Sequence, residues 1–167
     1  AHWKKWEMVR LLLERGADPN AKCHGRDPVL QTVMRYLNVS SEPRDLVRRL
    51  LEAGADPNWP GSYGRTPIHQ ASRDGRPELL RLLLRHGGYP NVRGHYQRTP
   101  LHAAARTGEE KTIRILLEAG ADPTLTDQRG RRPVDLTEDK SLKELLRDAE
   151  NRRGRTDLLK RMEKMAK

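Results

Sequence analysis

Two histidines, His69 and His102, are the side chains of this sequence best suited to acid–base chemistry. Each ends a Thr-Pro-x-His motif, and the two motifs lie 33 residues apart. A histidine that activates a nucleophile works beside a hydroxyl or thiol and an orienting carboxylate. Neither motif carries such groups at a spacing that would suggest a triad. The sequence therefore predicts that both histidines are structural and that the chain has no catalytic residue.

Metal and cofactor chemistry have no better support in the sequence. The single cysteine, Cys23, stands beside His24, but no second cysteine provides the spacing of a zinc site. The chain also lacks a phosphate-binding lysine loop, a dinucleotide fingerprint, a metalloprotease helix motif and a calcium loop. We expect no metal or cofactor, and a free thiol in a reducing compartment, which favours a cytoplasmic or nuclear location.

Arginine gives the strongest chemical signal. The chain has 33 Lys and Arg against 23 Asp and Glu, a formal net charge of +10. Such a balance favours acidic partners and speeds encounter with them. Guanidinium groups also make bidentate contacts with carboxylate or phosphate. No stretch approaches the ~20 apolar residues of a membrane span, so we expect none.

The elements that position these side chains recur with a fixed period. Pro67, Pro100 and Pro133 lie 33 residues apart, and glycines that follow apolar runs, such as Gly54 and Gly87, keep the same spacing. A period of this length is typical of an array of small stacked units. One domain of 167 residues suits such an array.

Each unit has the signals of two helices. Thr66 can cap a helix that begins at Pro67, and Gly75 can end it in a left-handed conformation. A second, leucine-rich helix is predicted over residues 77–86, and Gly87 follows it. The period therefore predicts an all-α solenoid of stacked helix-turn-helix units joined by hairpin-like loops.

The motifs resemble those of the ankyrin repeat family. Thr-Pro-Leu-His-Ala-Ala-Ala at 99–105, Leu-Leu-Glu-Ala-Gly-Ala-Asp-Pro-Asn at 50–58 and the 33-residue period carry this resemblance, which covers nearly the whole chain. It implies a curved array whose hairpin tips and first helices form a concave recognition surface. It also implies protein binding without catalysis, and histidines that form hydrogen bonds within and between repeats.

The period divides the chain into five segments of one domain. We expect a partial first repeat, a repeat with an insertion, two regular repeats, and a carboxyl-terminal capping repeat with a tail helix, at 1–22, 23–60, 61–93, 94–126 and 127–167. The partial repeat indicates a truncated start or an atypical amino-terminal cap.

Two segments depart from the period. Pro28 and Pro67 are 39 residues apart, six over the period, and we assign the surplus to a lengthened first helix and loop at 36–42. In the last segment, Ser141 is predicted to cap a helix over 142–149. Residues 151–155 are predicted to be a basic hinge, followed by a separate short helix over 156–167.

Arginines recur at matched positions. One precedes the Thr-Pro position or its counterpart in four units, and the resemblance places it near the hairpin tip, facing the groove: Arg26, Arg65, Arg98 and Arg131. Stacked helices lie ~10 Å apart, so these residues would form a ladder. Others broaden it: Arg73, Arg106 and Arg93. The alternative is that each arginine packs locally or pairs with a nearby acid such as Asp74, since isolated surface pairs contribute little.

Aromatic rings are predicted at the hairpin tips: Trp59, Tyr63, His95 and Tyr96. Large amphipathic rings at exposed tips are typical interface anchors. The alternative is that they pack across the stack of hairpins.

These features predict a non-catalytic module, monomeric or part of a hetero-complex, that binds an acidic protein surface or peptide through its concave face. Direct binding of nucleic acid or anionic lipid through the basic face is a second hypothesis. A third is a substrate-recruiting or kinase-inhibiting subunit, because segments 58–65 and 132–136 resemble the kinase inhibitors of the ankyrin family.

Overall fold

The computed structural model describes residues 3–23, 27–36, 43–61 and 64–165. These residues form an all-α stack, which confirms the predicted fold class. The helices are α1 (Trp3–Glu14), α2 (Val29–Tyr36), α3 (Pro43–Glu52), α4 (Pro67–Arg73), α5 (Pro77–Arg85), α6 (Pro100–Thr107), α7 (Glu110–Glu118) and α8 (Lys140–Met165). Two short antiparallel strands, β1 (Lys22–Cys23) and β2 (Asp27–Pro28), precede α2, and single 3₁₀ turns lie at His95–Gln97 and Pro133–Leu136.

The helices are arranged as antiparallel pairs that stack on one another. Within a pair, α2 packs on α3, α4 on α5 and α6 on α7. Between pairs, α2, α4 and α6 contact in sequence, and so do α1, α3, α5 and α7. The first helices therefore form one layer and the second helices the other. The hairpin loops project from the first layer.

The core runs continuously between the two layers. Leu80, Leu83, Ile113 and Leu116 are all 0% exposed, because each second helix turns its apolar side toward the first helices of its own and adjacent pairs. Burying a side chain of this size contributes about 1.5–3 kcal/mol. Because each repeat depends on its neighbours for this burial, the register between repeats is fixed by the core.

The register of the second repeat differs from the prediction. β1 and β2 pair Cys23 with Asp27, just as Gly61 pairs with Arg65 in the next hairpin, and α2 begins at Val29 where α4 begins at Pro67. Matched positions are thus 38 residues apart, five over the period rather than six. Pro28 occupies the position of the capping threonine, so the spacing of prolines misled the prediction by one residue.

This register also corrects the arginine ladder. The position matched to Arg65 is held by Asp27, not by Arg26. Arg26 itself lies outside the described residues, and so does most of the predicted insertion, residues 37–42. In the described part, α2 ends at Tyr36 and is as long as α6, eight residues.

The carboxyl-terminal segment is one continuous helix rather than two helices and a hinge. α8 spans 26 residues and passes through Gly154. A glycine costs only about 1 kcal/mol in a helix interior. Two contacts with the preceding segments hold the middle of α8: Arg153 Nη2 to Asp122 Oδ2 at 3.0 Å, and Arg132 Nη1 to Glu150 Oε2 at 3.1 Å.

The start of α8 and the element before it also differ from the prediction. The carboxylate of Asp139, not Ser141, accepts hydrogen bonds from the backbone N–H groups of Ser141 and Leu142, at 2.8 and 3.2 Å. The first helix expected in this last repeat is reduced to the 3₁₀ turn at Pro133–Leu136, which packs against α6 and α8. No helix among the described residues is long and apolar enough to cross a bilayer.

Candidate arginine-lined groove

The two motif histidines connect adjacent hairpins. His69 Nδ1 accepts hydrogen bonds from the backbone N–H and the hydroxyl of Thr66, at 3.2 and 3.0 Å. His69 Nε2 lies 2.9 Å from the carbonyl oxygen of Arg98 in the next repeat. Because a carbonyl can only accept, Nε2 must carry the ring proton. His102 repeats this geometry with Thr99 and, at 3.0 Å, with the carbonyl oxygen of Arg131.

Burial keeps both imidazoles neutral. It lowers the pKa of His69 and of His102 below the ordinary 6.5, and this effect outweighs the carbonyl acceptor on Nε2, which favours the protonated form. The two rings are therefore fixed hydrogen-bonding links between repeats, in agreement with their predicted structural role.

Gln31 takes the same place in the second repeat, a role that the motif spacing does not predict. Its amide nitrogen donates to the carbonyl oxygen of Arg65 at 3.1 Å and to that of Trp59 at 2.8 Å. The signal was present in the sequence, since Gln31 lies 38 residues before His69, but it is visible only once the five-residue surplus is known.

The hairpin turn between Gly94 and Arg98 has an unusual backbone conformation. Tyr96 and Gln97 both have a positive φ of 58°. The matched positions of Gln97 are Gly64 and Gly130, whose φ values are 67° and 74°. The turn is anchored by the carbonyl oxygen of Tyr96, which accepts a hydrogen bond from the N–H of Gln128 at 2.8 Å. The ring of Tyr96 stays exposed at the tip.

Replacing Gln97 with glycine is expected to raise the free energy of unfolding by about 1 kcal/mol. A side chain in the left-handed region costs roughly 1–2 kcal/mol, and the greater freedom of glycine in the unfolded chain offsets part of that gain. Urea unfolding measures the change. The control is Gln128→Gly, an exposed residue of the same type without a positive φ, which is expected to bring no gain. Equal effects of the two substitutions would contradict the strain at Gln97.

Four predicted arginines converge on one small pocket, formed by the first helices and hairpins of two adjacent repeats. Its volume is about 90 Å³. We call it the arginine pocket, and it is lined by Arg65, His69, Gln70, Arg73, His95, Tyr96, Arg98, Ala103 and Arg106. Tyr96 also lies close to Arg98, whose guanidinium carbon is 5.8 Å from the ring centroid. The pocket thus combines cations with an exposed aromatic ring.

Some of these arginines have local carboxylate partners. Arg73 Nε lies 2.9 Å from Asp74 Oδ1. Arg98 Nε lies 3.3 Å from Asp127 Oδ2, and Arg131 Nη2 lies 2.9 Å from the same oxygen. For these three residues, the local pairing considered as the alternative is present in the structure.

Arg65 and Arg106 have no carboxylate partner among the described residues, and a comparison of matched positions explains why. The residue matched to Asp127 in the preceding repeat is Gly94, so the carboxylate that pairs with Arg98 has no counterpart near Arg65. Likewise, the residue matched to Asp74 is Thr107, beside Arg106. Within the part of the chain that the structure describes, the arginine pocket therefore holds two guanidinium groups with a carboxylate partner and two without one.

The space around position 94 is tight. A Cβ atom there would lie 3.0 Å from His69 Nε2 and 3.1 Å from the carbonyl oxygen of Gly64. A side chain would press on the hydrogen bond that joins the two hairpins. The matched position in the next hairpin nevertheless carries Asp127 beside His102, so a side chain at position 94 requires only a small shift of its neighbours.

The other predicted site residues lie outside the arginine pocket. Arg93 donates to the carbonyl oxygen of Thr126 at 3.1 Å, and the ring of Trp59 lies 5.5 Å from the ammonium of Lys22. Arg131 belongs to the next hairpin and points to Asp127. Tyr63, like Arg26, lies outside the described residues.

Comparison with known proteins identifies the repeats. A family model described as ankyrin repeats, in three copies, matches residues 33–127, more than half of the chain. A model described as a single ankyrin repeat matches residues 1–24. No curated protein matches the chain.

Proposed function

Because the chain belongs to the ankyrin repeat family, we propose that it is a non-catalytic module whose arginine pocket binds an acidic segment of a partner protein. Ankyrin repeats are generally protein–protein interaction modules. The observation that carries the finer proposal is the convergence of Arg65 and Arg106, both exposed and unpaired within the described residues, on one pocket beside Tyr96.

The size of the pocket supports a side-chain ligand. Pockets that enclose a small molecule or cofactor have volumes of about 300–1,000 Å³. The arginine pocket, at about 90 Å³, has room for one acidic side chain and its bound water. The rest of the ligand would lie along the open surface of the first helices.

The chemistry of the pocket favours a carboxylate. A guanidinium group can donate two parallel hydrogen bonds to a carboxylate, and such charge-assisted bonds are roughly twice as strong as neutral ones. Arg65 and Arg106 have no carboxylate partner among the residues that the structure describes, whereas the Nε atoms of Arg98 and Arg73 already contact Asp127 and Asp74. Tyr96 adds apolar contact area at the rim. The net charge of the chain would speed encounter with an acidic partner.

Binding of a fluorescent glutamate-rich peptide, followed by anisotropy, tests the proposal. The double variant Arg65→Glu/Arg106→Glu is expected to weaken binding at least about tenfold, because a hydrogen bond to a charged group contributes about 1.5–3 kcal/mol. The single variant Arg131→Glu, outside the pocket, should have a smaller effect.

The matched control is Arg48→Glu/Arg49→Glu on α3. Both arginines are exposed, and each lies 3.7 Å from its nearest carboxylate, so the variant makes the same change in net charge on the opposite layer. Equal losses from the two double variants would show that only net charge matters and would contradict the pocket assignment. A steep salt dependence with DNA or heparin in place of the peptide would favour a nucleic-acid ligand instead.

A further inference from the structure

The carboxyl-terminal half of α8 has an apolar face that no described repeat covers. Its four large apolar side chains, Leu158, Leu159, Met162 and Met165, are 58%, 59%, 59% and 87% exposed. They lie within two turns of one another on the helix. Exposed leucines and methionines clustered in this way mark an interaction surface more often than scattered ones do.

This face lies on the side of α8 opposite the repeat stack. The stack-facing side includes Leu142 and Leu146, which are buried, and continues along the cleft between α7 and α8 through Arg153, Thr156 and Lys160. Leu158 and Met162 follow Thr156 and Lys160 by two residues, and two residues turn an α-helix by roughly 200°. The exposed face is therefore not a continuation of the core-facing stripe. An occupant has to come from outside the stack.

The charges around the face are mostly positive. Residues 151–165 contain six basic residues and two acidic ones, a net charge of +4, which are Arg152, Arg153, Arg155, Lys160, Arg161 and Lys164 against Asp157 and Glu163. Of these, Arg153 pairs with Asp122 at 3.0 Å. A second copy of this helix would bring the same positive charge, so charge disfavours self-association and favours an anionic surface.

We propose that the carboxyl-terminal half of α8 docks on an anionic lipid bilayer. A helix with an apolar face and a basic polar face lies in the plane of the membrane interface, with its apolar side chains inserted by about 5–10 Å. Arg161 borders the apolar face, and Arg155 lies one turn before Leu158 and Leu159 on the same side of the helix. Both can reach lipid phosphates while their aliphatic stems remain among the acyl chains. A planar surface meets the whole face at once, because the face is turned away from the stack. The arginine pocket lies elsewhere on the chain, so docking leaves it accessible.

Sedimentation of the full chain with lipid vesicles tests the proposal. The expected result is binding to vesicles that contain phosphatidylserine and phosphatidylcholine, little binding to vesicles of phosphatidylcholine alone, and weaker binding as salt is raised. The double variant Leu158→Ser/Met162→Ser is expected to bind at least about tenfold more weakly, because two apolar side chains no longer gain from leaving water. Circular dichroism confirms that its helices are intact.

The control variant is Met8→Ser/Leu12→Ser on α1, which removes two apolar side chains of similar exposure, 57% and 49%. Its binding should equal that of the wild type. Absence of vesicle binding, equal binding to both kinds of vesicle, or full binding by the Leu158/Met162 variant would overturn the proposal. The first of these outcomes would leave an acidic protein as the better occupant of the face. Because the peptide assay of the arginine pocket uses other residues, neither test decides the other.

Discussion

Asp127→Ala is expected to lower the free energy of unfolding by about 2–4 kcal/mol. The carboxylate is 1% exposed and accepts hydrogen bonds from two arginines and from the backbone: Arg131 Nη2 at 2.9 Å, Arg98 Nε at 3.3 Å, and the N–H groups of Arg129 and Arg131 at 2.9 and 3.1 Å. Breaking a buried ion pair costs about 3–5 kcal/mol, and the value here is lower because both guanidinium groups are partly exposed and regain water.

Urea unfolding of Asp127→Ala beside Asp148→Ala measures this effect. Asp148 is an exposed aspartate on α8, and its replacement should change stability by no more than about 0.5 kcal/mol. A similar loss of unfolding free energy in both variants would contradict the structural role assigned to the Asp127 carboxylate.

Because of the Asp127 carboxylate, we also expect the free energy of unfolding to fall at acid pH. Burial by itself would raise the pKa of Asp127, but the hydrogen bonds from Arg131, from the backbone and from Arg98 prevail and hold it well below the ordinary 3.8. A group whose pKa is lowered on folding contributes stability above its unfolded pKa and loses it as the pH falls toward the folded pKa. The contribution of Asp127 is therefore complete above about pH 4 and declines below it. Asp127→Ala should remove this part of the acid sensitivity.

His102→Ala is expected to cost about 2–4 kcal/mol at a pH near 8. The ring is 0% exposed, and its removal leaves a cavity and takes the hydrogen-bond acceptor from the buried N–H of Thr99. It also removes one of the two hydrogen bonds to the carbonyl oxygen of Arg131, which keeps only the one from the N–H of Asp127 at 2.8 Å. His102→Gln should retain part of this stability, because Gln31 already serves the matched position of another repeat. Urea unfolding of the two variants beside the wild type measures both effects.

The pH dependence of stability should differ between the wild type, with histidine at position 102, and His102→Gln. Burial is the main cause that lowers the pKa of His102, so the unfolded chain binds the proton more tightly than the folded chain. Stability from this group is complete above about pH 6.5 and falls as the pH drops below that value toward the lower folded pKa. The wild type should therefore lose more stability between about pH 8 and pH 5 than His102→Gln does. Identical losses would contradict a neutral, buried imidazole. His69 adds a similar contribution that remains in both proteins.

Much of the fold could be predicted from the sequence, because the residues that end and begin helices repeat with the core. Pro67 and Pro100 do begin α4 and α6, and Gly108 ends α6 with a φ of 77°. The prediction was wrong where a single residue type was used to set the register. Pro28 fits both the cap position and the first helical position, and only the pairing of Cys23 with Asp27 decides between them.

The arginine pocket was predictable in its members but not in its charge. Arg65, Arg73, Arg98 and Arg106 were all expected on the concave face, and the structure brings them to one pocket. Arg73 is paired with the adjacent Asp74, which the sequence could indicate, whereas Arg98 is paired with Asp127, 29 positions away. No local pattern shows that a residue at this distance is a neighbour. The continuity of α8 was likewise missed because it depends on contacts of its middle turns with Asp122 and Arg132.

The difference between matched positions in successive repeats bears on how such a scaffold diversifies. A single codon, at position 107 or at position 94, determines whether the guanidinium group beside it is masked or open. Position 94 is the tighter of the two, because a Cβ atom there would lie 3.0 Å from His69 Nε2, whereas Thr107 is exposed. Under the proposed function, a substitution at the end of a first helix would therefore change which arginine is open to a ligand without changing the packing of the repeats.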